Sequence, residues 1–226
     1  MKWDRVAEQV LQGTIETFYM CGLTLIITVV VGLPMGVLLV SLDRGGVLEK
    51  IGGSRGLSRV LHAILSVIVD IGRSLPFIIL MVALIPLTRL LVGTSIGATA
   101  AVVPLSAAGI PFFARLVEIA IREVPSGLVE AVESMGGSAW DVIRKAIVPE
   151  AMPAIVLGLS TTVVSLINFS AMAGAIGAGG LGDVAVRYGY QRFKPVYVVV
   201  VVVELVLITG IVQTLGSAVA RRMSKR

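Results

Sequence analysis

The sequence is 226 residues long, 56% hydrophobic and 15% charged, with a mean hydropathy of +0.97. A soluble domain carries about a quarter charged residues, so this chain lacks the polar surface to cover a water-exposed globule, whereas a bilayer accepts its apolar side chains. The net charge of +5 does not mark a nucleic-acid partner, because the basic residues are scattered between apolar runs without interleaved aromatics and follow the positive-inside bias of membrane proteins.

Met1 to Thr17 carries Lys2, Asp4, Arg5, Glu8 and Glu16 ahead of the first apolar run. That run exceeds signal-peptide length and lacks a small-residue cleavage site, so it reads as a retained span. About 20 apolar residues cross a hydrocarbon core, and five stretches qualify: about Thr17–Leu42, Ala63–Thr88, Ser95–Ala120, Ala151–Ile176 and Val196–Val219. All are expected to be helical, since an open strand leaves backbone groups unpaired in lipid. That rule overrides the strand propensity of Val198–Val203. The fold class is therefore an all-α membrane protein with five transmembrane helices.

Several residues inside these spans invite a reading. Gly32-Leu-Pro-Met-Gly36 places two glycines four apart, a spacing for close packing of helices within the chain, with a dimer seam or hinge as the other reading. Cys21 and His62 are single, so no intrachain disulfide or His/Cys metal constellation forms, and Cys21 reads as a packing residue. Asp70 and Arg73 share a helix face and can neutralise each other. Glu204, alone in the fifth span, needs a partner, a proton or water, and an interior polar contact is expected. Asn168-Phe-Ser170 matches a glycosylation sequon but falls in the fourth span and is discounted.

An odd number of spans puts the termini on opposite sides. One side holds eleven basic residues: Arg44, Lys50, Arg55, Arg59, Arg122, Arg144, Lys145, Arg221, Arg222, Lys225 and Arg226. The other holds six: Lys2, Arg5, Arg89, Arg187, Arg192 and Lys194. The richer side is cytoplasmic, which puts the N-terminus out, the C-terminus in, and Glu123–Glu150 in a cytoplasmic loop.

That loop reads Glu130-Ala-Val-Glu-Ser-Met-Gly136-Gly-Ser-Ala-Trp-Asp-Val-Ile-Arg-Lys-Ala-Ile-Val-Pro149. Pro125 and Ser126 suit a helix start. Ser126–Met135 is expected to be an amphipathic helix with Leu128, Ala131, Val132 and Met135 on one side. Gly136-Gly137 breaks it, and Ala139–Ile147 is expected to form a second short helix before Pro149 opens the fourth span. Such a helix–turn–helix is a lever: a soluble partner pushing on it displaces the spans it joins.

The loop resembles the signature of binding-protein-dependent ABC importer permeases, Glu-Ala-Ala, three residues, Gly, nine residues, Ile-x-Leu-Pro. Glu130, Ala131, Gly136 and Pro149 match, while Val132, Ala146 and Val148 depart by apolar or small substitutions. Further stretches resemble the methionine-uptake subgroup: Arg73-Ser-Leu-Pro-Phe-Ile-Ile-Leu, Pro86-Leu-Thr-Arg89, Val92-Gly-Thr-Ser-Ile-Gly97, Pro111-Phe-Phe-Ala-Arg115-Leu-Val-Glu118, Phe169-Ser-Ala-Met-Ala-Gly174, Gly179-Gly-Leu-Gly-Asp183 and Arg187-Tyr-Gly-Tyr-Gln-Arg-Phe193. They cover most of the chain from about Gly32 to Gln213.

The resemblance implies one permease domain over 1–226, with a core of about 14–219 and a coupling loop at 123–150, in a bacterial cytoplasmic (inner) membrane. It implies a homodimer docked to two copies of a cytoplasmic ABC ATPase and served by an external substrate-binding lipoprotein that delivers methionine. No Gly-x-x-x-x-Gly-Lys-Ser/Thr occurs, so no cofactor is expected on this chain, and ATP with Mg belongs to the partner ATPase. Glu130 is expected to cap or pair with polar groups in an ATPase cleft, Ala131 to permit close contact and Gly136 to turn the chain. Phe169, Ser170 and Met172 are candidates for lining the substrate pathway at a dimer interface, Phe169 standing where the subgroup suggests tyrosine; helix packing is the other reading. Alternatives are a permease for another amino acid or small solute, a proton-coupled carrier using Glu204, and a channel or structural subunit. The signature loop argues against the last two. No catalytic cluster supports an enzyme.

Overall fold

A computed structural model describes residues 3–43 and 55–224, and helix is the only regular structure among them. Its α-helices are α1 (Trp3–Ser41), α2 (Arg55–Ser74), α3 (Phe77–Ala83), α4 (Ile85–Val92), α5 (Ala98–Arg122), α6 (Ser126–Ser134), α7 (Ala139–Asp141), α8 (Val148–Ala173), α9 (Gly180–Val184) and α10 (Pro195–Ser224). Two stretches carry the wider π pattern, Val142–Ile147 and Ala185–Tyr190, and Gly174–Ala178 is a kink in which Gly177 adopts φ 99. Of the basic residues used to orient the chain, Lys2, Arg44, Lys50, Lys225, Arg226 and the Arg55 side chain lie outside the described residues.

Among the described residues, four helical stretches are long and apolar enough to cross a bilayer, Trp3–Ser41, Ala98–Arg122, Ala139–Ala178 and Pro195–Ser224, with up to five if Ser58–Ser74 and Phe77–Ala83 make one broken span. The valine run 198–203 is helical inside α10, as the lipid argument requires. The expected continuous helix over Ala63–Thr88 is corrected. It breaks between Ser74 and Phe77, where Pro76 adopts φ −57 and ψ 131 outside the helical region. Proline has no N–H to donate, and it pushes the preceding residue, here Leu75, toward extended backbone. A second interruption falls at Leu84, with Pro86 in the first turn of α4. There the missing N–H is one that a helix start leaves unpaired in any case.

The chain packs as two compact units. The first comprises Met1–Thr28, Leu75–Gly109 and Thr162–Thr214. One part of its core gathers Met20, Phe77, Leu80, Leu105 and Ala173; another gathers Val6, Val10, Leu181, Val184, Tyr197 and Val201. Val6 and Val10 give the described first turns of α1, well before the apolar run, a core to pack on. Cys21 is buried beside Leu166 and Ile167, the packing role expected of it. The Thr14 hydroxyl donates to Glu204 Oε1 at 2.5 Å, which supplies the interior polar contact that α10 needs.

The second unit comprises Val29–Ser74, Ile110–Thr161 and Leu215–Arg226. Phe113, Val117, Ile121, Val142, Ile147 and Ile155 build its main core. α1 meets α5 here through the glycine pair. A Cβ at Gly36 would fall 2.5 Å from the Ala114 carbonyl oxygen and 2.6 Å from Val117 Cβ, and one at Gly32 would fall 3.1 Å from the Ile110 oxygen. The glycines therefore serve packing inside the chain.

Candidate functional site

The polar loop between α5 and α8 belongs to the second unit. Pro125 stands at the cap position of α6 with φ −59 and ψ 130, and no side chain caps the helix. The serine expected to start it lies one residue inside. Val129 and Val132 pack against the main core of the unit. Leu128, Ala131 and Met135 face outward, Met135 being 79% exposed. The expected apolar side is therefore divided, since Val132 turns inward while the other three remain available to a partner. Glu130 is exposed beside Ala131.

The turn after α6 is a Schellman motif. Gly137 N–H donates to the Val132 carbonyl at 3.0 Å, and Gly136 N–H donates to that of Glu133 at 3.0 Å. Gly136 adopts φ 78, a conformation that costs a residue with a Cβ about 1–2 kcal/mol. Gly137 is required for space, because a Cβ there would sit 2.5 Å from Val132 Cγ1. Ser138 then caps α7 through a capping box. Its hydroxyl oxygen accepts the Asp141 N–H at 3.3 Å, and its own N–H donates to Asp141 Oδ2 at 3.1 Å. Lys145 Nζ lies 2.6 Å from Asp141 Oδ1. Lys145, together with the Ser138 hydroxyl and N–H, holds the Asp141 carboxyl well below the usual carboxylate range. Trp140 projects outward, 66% exposed.

The separate second helix expected over Ala139–Ile147 is corrected. α7 passes through the π turn Val142–Ile147 straight into α8, with Val148 N–H bonded to the Ile143 carbonyl five residues back. The widening lies just before Pro149, whose ring crowds the preceding turn and donates no hydrogen bond. Pro149 is exposed and shares with Glu123, Pro125, Glu150 and Pro153 the wall of a cavity of about 440 Å³. Glu130, Ala131 and Gly136 thus sit together on one helix and turn, and Pro149 stands where the loop returns beside its own entry.

The three pathway candidates on α8 diverge. Phe169 stacks on Phe77 with ring centroids 4.9 Å apart. Ser170 is 2% exposed and donates its hydroxyl to the Ile167 carbonyl at 2.8 Å. Met172 faces outward, 41% exposed. In this chain Phe169 and Ser170 do interior packing, and only Met172 is presented.

A charge network went unread in the sequence. Glu118, its side chain 4% exposed, takes Arg115 Nη1 at 2.8 Å and Arg122 Nη2 at 2.9 Å. Arg122 also reaches Asp43 at 2.7 Å, and Arg115 reaches Asp70 at 3.9 Å. Asp70 thus turns to α5, and the Arg73 pairing inferred from spacing gives way to this contact. The legible signal was three charges at i, i+3 and i+7 within an apolar helix, too costly in lipid unless mutually paired.

Apolar helices of spanning length, with an exposed helix–turn–helix between α5 and α8, define a membrane protein. Residues 46–225 match the family of binding-protein-dependent transport system inner membrane components, and the chain belongs to that family. It is 46% identical over 220 residues, 97% of this chain and 94% of the relative, to the Vibrio cholerae protein named "Probable D-methionine transport system permease protein MetI". It is 41% identical over 174 residues, 77% of this chain and 78% of the relative, to the methionine import system permease protein MetP of Bacillus subtilis. A structure of inward-facing conformations of the MetNI methionine ABC transporter superposes with a TM-score of 0.88 at 40% identity, covering 95% of this chain and 96% of that one. An amino acid ABC transporter with histidines shares the fold at 21% identity and a TM-score of 0.76, over 97% of this chain and 96% of that one.

Proposed function

We propose that this chain is the permease subunit of an ATP-driven methionine importer of a bacterial inner membrane. Two copies would form the membrane dimer, two cytoplasmic ABC ATPases would dock on the 123–150 loops, and an external lipoprotein would deliver the amino acid. The N-terminus lies outside and the C-terminus inside, in keeping with the basic-residue asymmetry. The observation that carries the reading is the outward apolar face of Leu128, Ala131, Met135 and Trp140, held by the Gly136-Gly137 turn at the family's spacing. Such a face buried in an ATPase cleft passes a displacement into α5 and α8, and rocking of the two copies then alternates access. Glu130, exposed next to Ala131, supplies a carboxylate at the contact. Substrate selection is assigned to methionine on the likeness to methionine permeases, with Met172 the pathway candidate best presented to a second copy.

The test is Gly136→Arg in the complete transporter reconstituted in proteoliposomes. The positive φ and the bulk of the new side chain break the turn, and ATP-driven methionine uptake is expected to fall about tenfold or more. ATPase activity stimulated by the binding protein is expected to fall with it. Uptake and stimulated hydrolysis at wild-type levels would overturn the docking assignment. Uptake of a different amino acid in place of methionine would overturn the cargo.

A further inference from the structure

The first unit contains a second polar site that the docking loop does not explain. Gln9, Gln12 and Glu16 of α1 face Asp183, Arg187 and Tyr188 across a cavity of about 220 Å³. Backbone completes the wall: Gly97 N–H donates to the Gly177 carbonyl at 3.0 Å. Gly179 passes so close to Glu16 that a Cβ would lie 2.5 Å from Oε2. Each charged group is held by the protein. Glu16 accepts Gln12 Nε2 at 3.1 Å and Gly180 N–H at 2.7 Å, and Arg187 Nη2 sits 2.9 Å from Asp183 Oδ1. Tyr197 donates to Gln9 Oε1 at 2.6 Å, which leaves the amide hydrogens of Gln9 to act as donors.

None of these groups is saturated. A carboxylate offers about four lone-pair sites and a guanidinium five N–H donors, so both carboxylates and Arg187 retain capacity toward a ligand. The balance of charge selects its class. Two carboxylates against one guanidinium leave a net negative charge that repels a simple anion and attracts an ammonium, while Arg187 offers a carboxylate partner that an amine alone leaves unused. A small zwitterion satisfies both, with its ammonium on Glu16 and Asp183 and its carboxylate on Arg187 and the Gln9 amide. We infer that this cavity is a receiving site for the α-ammonium and α-carboxylate of an amino acid on the external face of the permease. It deepens the importer reading above and rests on it, both for the cargo and for which face is external. Because the side chains named are polar, the site reads the head group rather than the side chain.

The experiment titrates labelled methionine onto the complete permease–ATPase complex in nanodiscs, without the external binding protein. Saturable binding is expected, with alanine competing within about threefold. 3-(Methylthio)propylamine and 4-(methylthio)butanoate, each lacking one head-group charge, are expected to bind about tenfold more weakly or worse. Asp183→Asn and Arg187→Leu are each expected to weaken methionine about tenfold, while Arg187→Lys, which keeps the charge and checks folding, stays within about threefold. No saturable binding, undiminished binding of both analogues, displacement by sodium ion alone, or wild-type affinity in Asp183→Asn and Arg187→Leu would each overturn the site. Parallel uptake assays with the binding protein separate the two ideas. Absence of ATP-driven methionine uptake by the wild-type transporter refutes the importer reading, whereas intact uptake without cavity binding refutes the cavity alone.

Discussion

Close approach of backbone at Gly36 is where a single atom decides packing. Gly36→Val would drive a branched side chain into the Ala114 carbonyl and the Val117 side chain, and overpacking of this kind costs about 1–3 kcal/mol. Gly22→Ala is the contrasting change, since a Cβ there meets nothing within 4 Å; it is expected to be neutral or to gain up to about 1 kcal/mol through helix propensity. Thermal unfolding midpoints in detergent should fall for the first variant and hold or rise for the second, and the reverse order would refute the packing assignment. The Gly32 and Gly36 spacing was readable in the sequence because small residues at i, i+4 let helix backbones approach closely, while the partner helix, α5, came from the structure. Glu118 was not readable in the same way. Its partners Arg115 and Arg122 are local, but Asp43, which shares Arg122, lies two residues past the end of α1, and only tertiary structure brings it there.

Among the elements, the 123–150 loop was the most legible, because its punctuation is chemical. Two glycines close α6, and a serine with an aspartate three residues on opens α7. Ser138→Ala is expected to cost about 1 kcal/mol locally, seen as faster hydrogen exchange at the amides of 139–145. Asp141 carries a pH consequence whose sign is fixed by its depressed carboxyl pKa. The stabilisation is complete above the unfolded value near 3.9 and is lost only as pH falls below it toward the folded value. Asp141→Asn is therefore expected to accelerate exchange in this segment by the same factor at pH 6 and pH 8, once intrinsic rates are removed. A difference between the two pH values would contradict the assignment. Two elements were misread for physical reasons. The Pro76 break was hidden because prolines are tolerated in membrane helices, as Pro34 is within α1. The continuity of α7 with α8 was hidden because a π turn leaves no mark in hydrophobic periodicity.

For the whole molecule, the membrane class and the approximate placement of the apolar helices followed from composition and span length alone. The division into two compact units did not, because lipid-facing helices are apolar on every side and do not announce which face packs. The side of the membrane each loop occupies is open to a direct test. The chain has one cysteine, Cys21, and it is buried, so the native sequence is nearly silent to a membrane-impermeant maleimide. Ser134→Cys is expected to label only when the reagent has access to the cytoplasmic side, and Tyr190→Cys only from outside. Both residues are exposed. Labelling of Ser134→Cys in intact cells would invert the proposed orientation.

The π turns at Val142–Ile147 and Ala185–Tyr190 have one more consequence, for comparing this chain with its relatives. A π turn holds one residue more than the α-helical turn it replaces, so deleting a single residue there relaxes the helix instead of breaking it. Side chains beyond the deletion would keep their facing, because the restored α turn closes the same 360° with one residue fewer. One-residue gaps in an alignment of the family are therefore expected to fall in these two stretches, and a relative carrying one at Val142–Ile147 would present the same face of α8 to its neighbours.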